Sequence, residues 1–255
     1  MSAEIFMSHY DNEGYFNHGL REPTNLNVFQ TTKEYRDLST IIVTPTRKGN
    51  SISSRWMGCY LDLMKPMNQK VFGPMFIVGM EVGEAYNEAI KRILNHDILK
   101  NVTYLVTLED DVLPPPDGLL KLYEDVQHYD VVGGLYYSKG DFGWPMIYGD
   151  VSQKEIGWAP QEPKSFKEGE NTLQECYGLG MGFNIYKMDI FKKMEYPWFE
   201  TLQHFDKDLG VQGMTQDLHA FQQMYKAGYR FACDVSLKCG HFDANGGDSG
   251  LGFTW

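Results

Sequence analysis

Residues Val102–Pro116 read VTYLVTLEDDVLPPP. The opening VTYLVTL has the length and the apolar, β-branched character of a strand buried on both faces. It runs directly into Glu109, Asp110 and Asp111, and Pro114, Pro115 and Pro116 then prevent further ladder hydrogen bonding. Adjoining carboxylates at the end of a buried strand repel one another, which is costly unless a cation offsets them. Oxygen ligands of this kind suit Mg2+ or Mn2+, ions that also hold substrate phosphates. The competing reading is a solvated acidic turn leading into a helix capped by Asp117.

Working outward, the chain alternates strand and helix patterns. LSTIIVTPTR (Leu38–Arg47) carries a short apolar run that Pro45 is expected to close. VFGPMFIV (Val71–Val78) reads as a second strand. After it, Val82, Ala85, Tyr86, Ala89, Ile90, Ile93 and Leu94 recur at helical spacing, so one face of that helix is built to lie on a sheet. Beyond the prolines, Leu119, Leu120, Tyr123 and Val126 predict the inward face of another helix, and DVVGGLYY (Asp130–Tyr137) a fourth strand. Residues 138–175, rich in Gly, Pro, Lys and Glu, read as an excursion or lid. MGFNIYKM returns to strand, LHAFQQMYKAGY is a helix that Thr215 can cap and Gly228 can end, and YRFACDVSLKCGHF is expected to close the sheet.

This order predicts an α/β fold with a mostly parallel central sheet flanked by helices, whose ligands gather at the carboxyl ends of the strands. Residues 1–38 have no sustained period and read as an irregular arm, leaving 39–255 as the catalytic domain. No window holds the roughly 18 to 20 apolar residues of a membrane span, and the N-terminus lacks an export signal's basic start and apolar core, so cytoplasmic placement is expected. Cys59, Cys176, Cys233 and Cys239 are dispersed, which signals neither a disulfide framework nor a zinc site. A net charge of -11 disfavours broad attachment to nucleic acid or anionic membrane and suits a site that collects a cation.

Two further positions carry candidate chemistry. Asp217 falls in the first turn of a helix, where free N–H groups and the helix dipole favour an ionised carboxylate that can serve as general base. Helix-start acidity is the bland alternative. His241, at the end of the last strand, can offer a nitrogen ligand to a cation, although a lone histidine is more often structural. GLGMG lacks the spacing of a dinucleotide loop and precedes a strand; it reads as a tight turn where backbone approaches a ligand.

Together these stretches resemble the metal-dependent GT-A glycosyltransferases, close to the inverting family 2 enzymes and to short versions found in phages and prokaryotes. The resemblance runs from about Ile41 to Phe242. It implies that Thr44, Pro45, Thr46 and Arg47 lie along the donor nucleotide and that Asn87, in AYNEAI, sits near it. LEDDVLPPP is similar to the family's D-x-D followed by prolines. Glu109 and Asp110 take the first two positions beside the donor, and Asp111 takes the last, which binds the metal. Glu109 replaces an Asp, keeping the charge while lengthening the reach, with a role at the ribose or the metal. Gly180 belongs to the segment beneath the donor sugar. Asp217 takes the catalytic base position, His241 that of a further metal ligand, and Gln216 stands where the family has Glu.

The implied activity moves a sugar from a nucleoside-diphosphate sugar, with UDP as the expected nucleotide, to an acceptor hydroxyl with the help of Mn2+ or Mg2+. A saccharide, a protein side chain or a modified DNA base would each offer that hydroxyl. The alternatives are a noncatalytic nucleotide-sugar-binding module and a metal-dependent nucleotidyltransferase.

Overall fold

The computed structural model describes residues 36–46, 51–139, 143–152, 157–207 and 210–242. Contacts divide the chain into Met1–Asp37 and Leu38–Trp255. The expected arm over 1–38 falls almost wholly outside the described residues, as do Arg47 and the 243–255 end of the expected catalytic domain.

Every residue of β1 (Thr40–Thr46) is buried. The strand does not stop at Pro45, contrary to expectation. The Thr46 carbonyl accepts the Gly79 N–H at 2.9 Å on the side of β2 (Val71–Val78), so the proline nitrogen faces the other way. On that side pairing has already ended at Val43, and no bond is lost. α1 (Ser54–Asp62) lies between β1 and β2 in the chain. Where β1 and β2 shift register, Gly73 has φ +109, and a Cβ there would press on the Ile42 carbonyl at 2.5 Å.

In α2 (Val82–Asn95), the Glu81 side chain caps the first turn by accepting the Glu84 N–H at 3.1 Å. Ala85, Tyr86, Ala89, Ile90 and Ile93 are buried on the predicted face. β3 (Tyr104–Leu108) is buried throughout and is followed by the short β4 (Val112–Leu113). α3 (Gly118–Asp125) starts at Asp117, whose side chain makes no cap bond and instead pairs with Lys121 at 3.3 Å. Leu122 rather than the expected Leu120 completes its buried face.

The remaining elements are β5 (Val131–Leu135), β6 (Ile147–Tyr148), β7 (Leu173–Cys176), β8 (Gly178–Leu179), β9 (Phe183–Lys187), α4 (Asp189–Lys193), β10 (Leu202–Asp206), β11 (Gly210–Met214), α5 (Gln216–Lys226), β12 (Phe231–Lys238) and β13 (Gly240–His241). α5 ends as predicted. Gly228 takes φ +90 and donates to the Tyr225 carbonyl, while Tyr229 N–H returns to Met224, which satisfies the last carbonyls.

The central sheet has the order β2-β1-β3-β9-β5-β12-β7. β2, β1, β3, β5 and β12 share one direction, and β9 and β7 run against it. The sheet is thus mostly parallel, but β12 does not close it. The edge strand is β7, so the end of the 138–175 excursion belongs to the sheet. Helices cover both faces: Ile41 and Val43 pack with α2, α4 and α5, and Ile42 packs with α1 and α3. Each such buried side chain contributes roughly 1.5–3 kcal/mol. All four cysteines are free. Among the described residues, no helix is long and apolar enough to cross a membrane.

Candidate active site

The end of β3 turns tightly, with Val112 N–H donating to the Glu109 carbonyl at 3.1 Å. That carbonyl also accepts the Trp56 indole N–H at 2.8 Å, and Glu109 N–H donates to Gly182 at 3.0 Å. The acidic turn is therefore held by α1 on one side and by the approach to β9 on the other. Asp110 sits half-buried at its tip.

A small antiparallel pair brings the last predicted ligand to this turn. β13 pairs with β4, placing His241 opposite Val112, and Phe242 N–H donates to the Asp111 carbonyl at 2.7 Å. His241 Nε2 then lies 3.6 Å from Asp111 Oδ1. Its other nitrogen, Nδ1, is 2.7 Å from the Tyr137 carbonyl; a carbonyl only accepts, so Nδ1 carries a hydrogen. When the imidazole is neutral, Nε2 presents a lone pair to Asp111 Oδ1, which is buried and has no hydrogen-bond partner. Two acceptors facing each other across a short gap, with the second imidazole nitrogen fixed by a carbonyl, fit the ligand arrangement of a cation. Among the described residues no group of three or more His, Cys, Asp or Glu converges in this way.

The carboxylates of the turn are driven apart electrostatically. Burial pushes Asp111 up, but hydrogen bonds from His241, when its ring is protonated, and from Lys139 more than offset it and hold the group below its ordinary value. Lys139 Nζ is 2.5 Å from Asp111 Oδ2. Glu109 is pushed up to about 8, by burial first and then by the negative charges of Asp111, Asp217 and Asp110. Asp111 is thus the ionised member and Glu109 the one that retains a proton in the absence of a further cation.

Asp217 is buried at the start of α5, and its Oδ1 accepts the Leu218 N–H at 2.9 Å. Thr215 provides no cap bond to the helix backbone; its hydroxyl serves the Asp217 carboxyl instead. The helix start was expected to favour the ionised carboxylate. Burial outweighs the bonds from Thr215 and from the backbone, and the group is raised above its ordinary value. Its charge is felt at Glu109, Tyr136 and Tyr148, so it belongs to the same locale as the acidic turn.

The other predicted contacts divide. Thr44 and Thr46 are buried at the carboxyl end of β1 with Pro45 between them, and neither hydroxyl has a partner. Buried hydroxyls without partners call for a bound molecule or water. Asn87 is different: its amide donates to the Phe199 carbonyl at 2.6 Å and its Oδ1 accepts the Trp198 and Phe199 N–H groups, each at 3.1 Å. Its bonds tie α2 to a loop. At Gly180 and Gly182 the backbone lies close against Tyr136, which leaves no room for a Cβ.

Several contributors escaped sequence reading. Tyr136 accepts the Gly182 N–H at 2.9 Å and packs edge-on against His241, with centroids 5.3 Å apart. Tyr86, fully buried on α2, has a hydroxyl without a partner; burial first and then the charge of Glu109 push it up. Lys139 and the Tyr137 carbonyl complete the surroundings. None of these has a local sequence signal, because each acts across the fold.

No family model matches the chain, and no curated protein does. Solved structures do. The chain is similar to A197 from STIV at 20% identity with a TM-score of 0.53, over 80% of this chain and 86% of that one. It is also similar to GalNAc-T7, solved with UDP, GalNAc and Mn2+, at 11% identity with a TM-score of 0.51, over 82% of this chain and 44% of that one. These neighbours are of the GT-A type, and the protein has the GT-A fold.

Proposed function

We propose that the protein is a metal-dependent inverting glycosyltransferase that moves a sugar from a nucleoside diphosphate, with UDP as the expected carrier, to an acceptor hydroxyl. The observation that carries this reading is the facing pair of Asp111 Oδ1 and His241 Nε2 at 3.6 Å, with Asp217 buried in the same locale. Asp111 and His241 would hold Mn2+ or Mg2+, the remaining positions falling to donor oxygens and water. When bound, the cation supplies charge neutralisation for the departing diphosphate.

The chain's own residues account for the rest. The Tyr137 carbonyl and the Tyr136 ring orient His241. The unpartnered Thr44 and Thr46 hydroxyls suit hydrogen bonds to the nucleotide, and Glu109, Asp110 and the outlying Arg47 are assigned to the donor through the resemblance alone. Asp217 would accept the acceptor's proton on the face of the sugar opposite the leaving group. An upward-shifted carboxylate is the stronger base, and the hydroxyl becomes strongly acidic as its bond to the sugar forms. The acceptor's class, whether saccharide, protein or modified DNA, is set by surfaces that this chemistry does not specify.

Asp217→Asn separates this reading from a noncatalytic sugar-binding module. Transfer is expected to fall by about 10²–10⁴-fold while UDP-sugar binding, followed by calorimetry, is retained. Unchanged turnover in the variant would remove Asp217 from the mechanism.

A further inference from the structure

The Lys139 contact is not explained by the proposed mechanism. Its ammonium rests 2.5 Å from Oδ2 of Asp111, the same carboxylate whose Oδ1 faces His241. The position is built into the fold. Tyr136 directly follows β5, and Met146 N–H donates to the Tyr136 carbonyl at 2.9 Å. Tyr137 bridges Pro145, Ser138 N–H donates to the Trp144 carbonyl at 2.8 Å, and Trp144 N–H returns to Ser138 Oγ at 2.9 Å. Lys139 follows this bonded stem directly. The stem also contributes the Tyr137 carbonyl that fixes His241, so one short segment touches both candidate metal ligands.

An ammonium at bonding distance from a carboxylate and a dication on that same carboxylate repel each other strongly. The two compete for one carboxylate's charge, and a diphosphate beside it would offer the ammonium another anion. We infer that Lys139 is a built-in counter-ion for Asp111 that the divalent cation displaces, and that the donor's diphosphate then receives its ammonium. This rests on the proposed function. It adds an order to binding: cation alone binds poorly, and cation and nucleoside diphosphate strengthen one another because each relieves the cost that the other meets.

The test is Mn2+ binding, read from the electron paramagnetic resonance signal of free Mn2+, with and without UDP, in the wild type, Lys139→Met and Lys139→Arg. Both partners are partly exposed, so removing the ammonium is expected to tighten binding of Mn2+ alone by about three- to fivefold. In the same variant the strengthening of Mn2+ by UDP shrinks, and Lys139→Arg behaves like the wild type. Equal affinity of Lys139→Met and wild type for Mn2+ alone would overturn the inference while leaving the proposed function standing. An undiminished UDP effect in Lys139→Met would overturn the transfer to the diphosphate. Absence of Mn2+ binding by the wild type even with UDP would remove the metal reading and this inference with it.

Discussion

The acidic turn at Glu109–Asp111 and the start of α5 at Asp217 both present carboxylates to one edge of the sheet, but their surroundings differ. Asp111 meets a histidine and a lysine, and these hold it ionised despite its burial. Asp217 meets only a hydroxyl and backbone N–H groups, which do not offset its burial, and it is raised. Glu109, two residues from Asp111, is raised as well, by burial first and then by its acidic neighbours. Residue type therefore does not divide the labour here; the balance between burial and the partners that offset it does. The group held low suits a ligand, and the group pushed up suits a proton acceptor.

The largest effects should come from neutralising either carboxylate, and the manner of rescue should tell them apart. Asp111→Asn is expected to lower turnover by at least about a hundredfold, with part of the loss recovered at high Mn2+ because the defect lies in cation affinity. The loss in Asp217→Asn should not respond to Mn2+. Equal recovery of both variants in a Mn2+ titration would collapse the distinction drawn above.

A smaller effect concerns pH. Glu109 is raised in the fold from 4.5 to about 8, so the folded state holds this proton more tightly than the unfolded chain does. The sign follows: in metal-free protein this group's contribution falls as pH rises from its ordinary value through about 8, and is flat above. Glu109→Gln should flatten that slope in thermal unfolding, by about 2–4 °C for each kcal/mol involved. Asp111 has the opposite sign, since a carboxylate held low loses its contribution only as pH drops below its ordinary value.

Asp125 provides the weakest and most specific contrast. It too is raised to about 8, by burial and then by Asp234, but Asp234 is occupied by Ser236, whose N–H and hydroxyl bond it at 2.9 and 2.7 Å. Asp125→Asn should flatten the stability slope as Glu109→Gln does and leave transfer unchanged. A loss of turnover in Asp125→Asn would mean that an upward shift alone, without the sheet-edge position, marks the site.

Much of the frame was legible because it is local. Continuous apolar runs identified β1, β2, β3 and β5, and helical periodicity identified the buried face of α2. The errors arose where tertiary pairing decides. Pro45 stays in its strand only because β3 pairing has already ended, and β7 forms the edge from a segment with no strand pattern of its own. The meeting of His241 with Asp111 depends on two-residue strands too short to read. The bonds of Asn87 to the Trp198–Phe199 backbone likewise join segments far apart in the chain. Lys139 had no motif at all; only the stem that follows β5 brings it to the acidic turn.

On the proposed function, the acidic turn and His241 serve a divalent cation in sugar transfer. Its most direct test is nucleoside diphosphate release from UDP-sugars, measured with Mn2+, after chelation, and after Mn2+ is restored. The account predicts release with Mn2+, its loss in chelator and its return with the metal. Release that continues undiminished in excess chelator would contradict it.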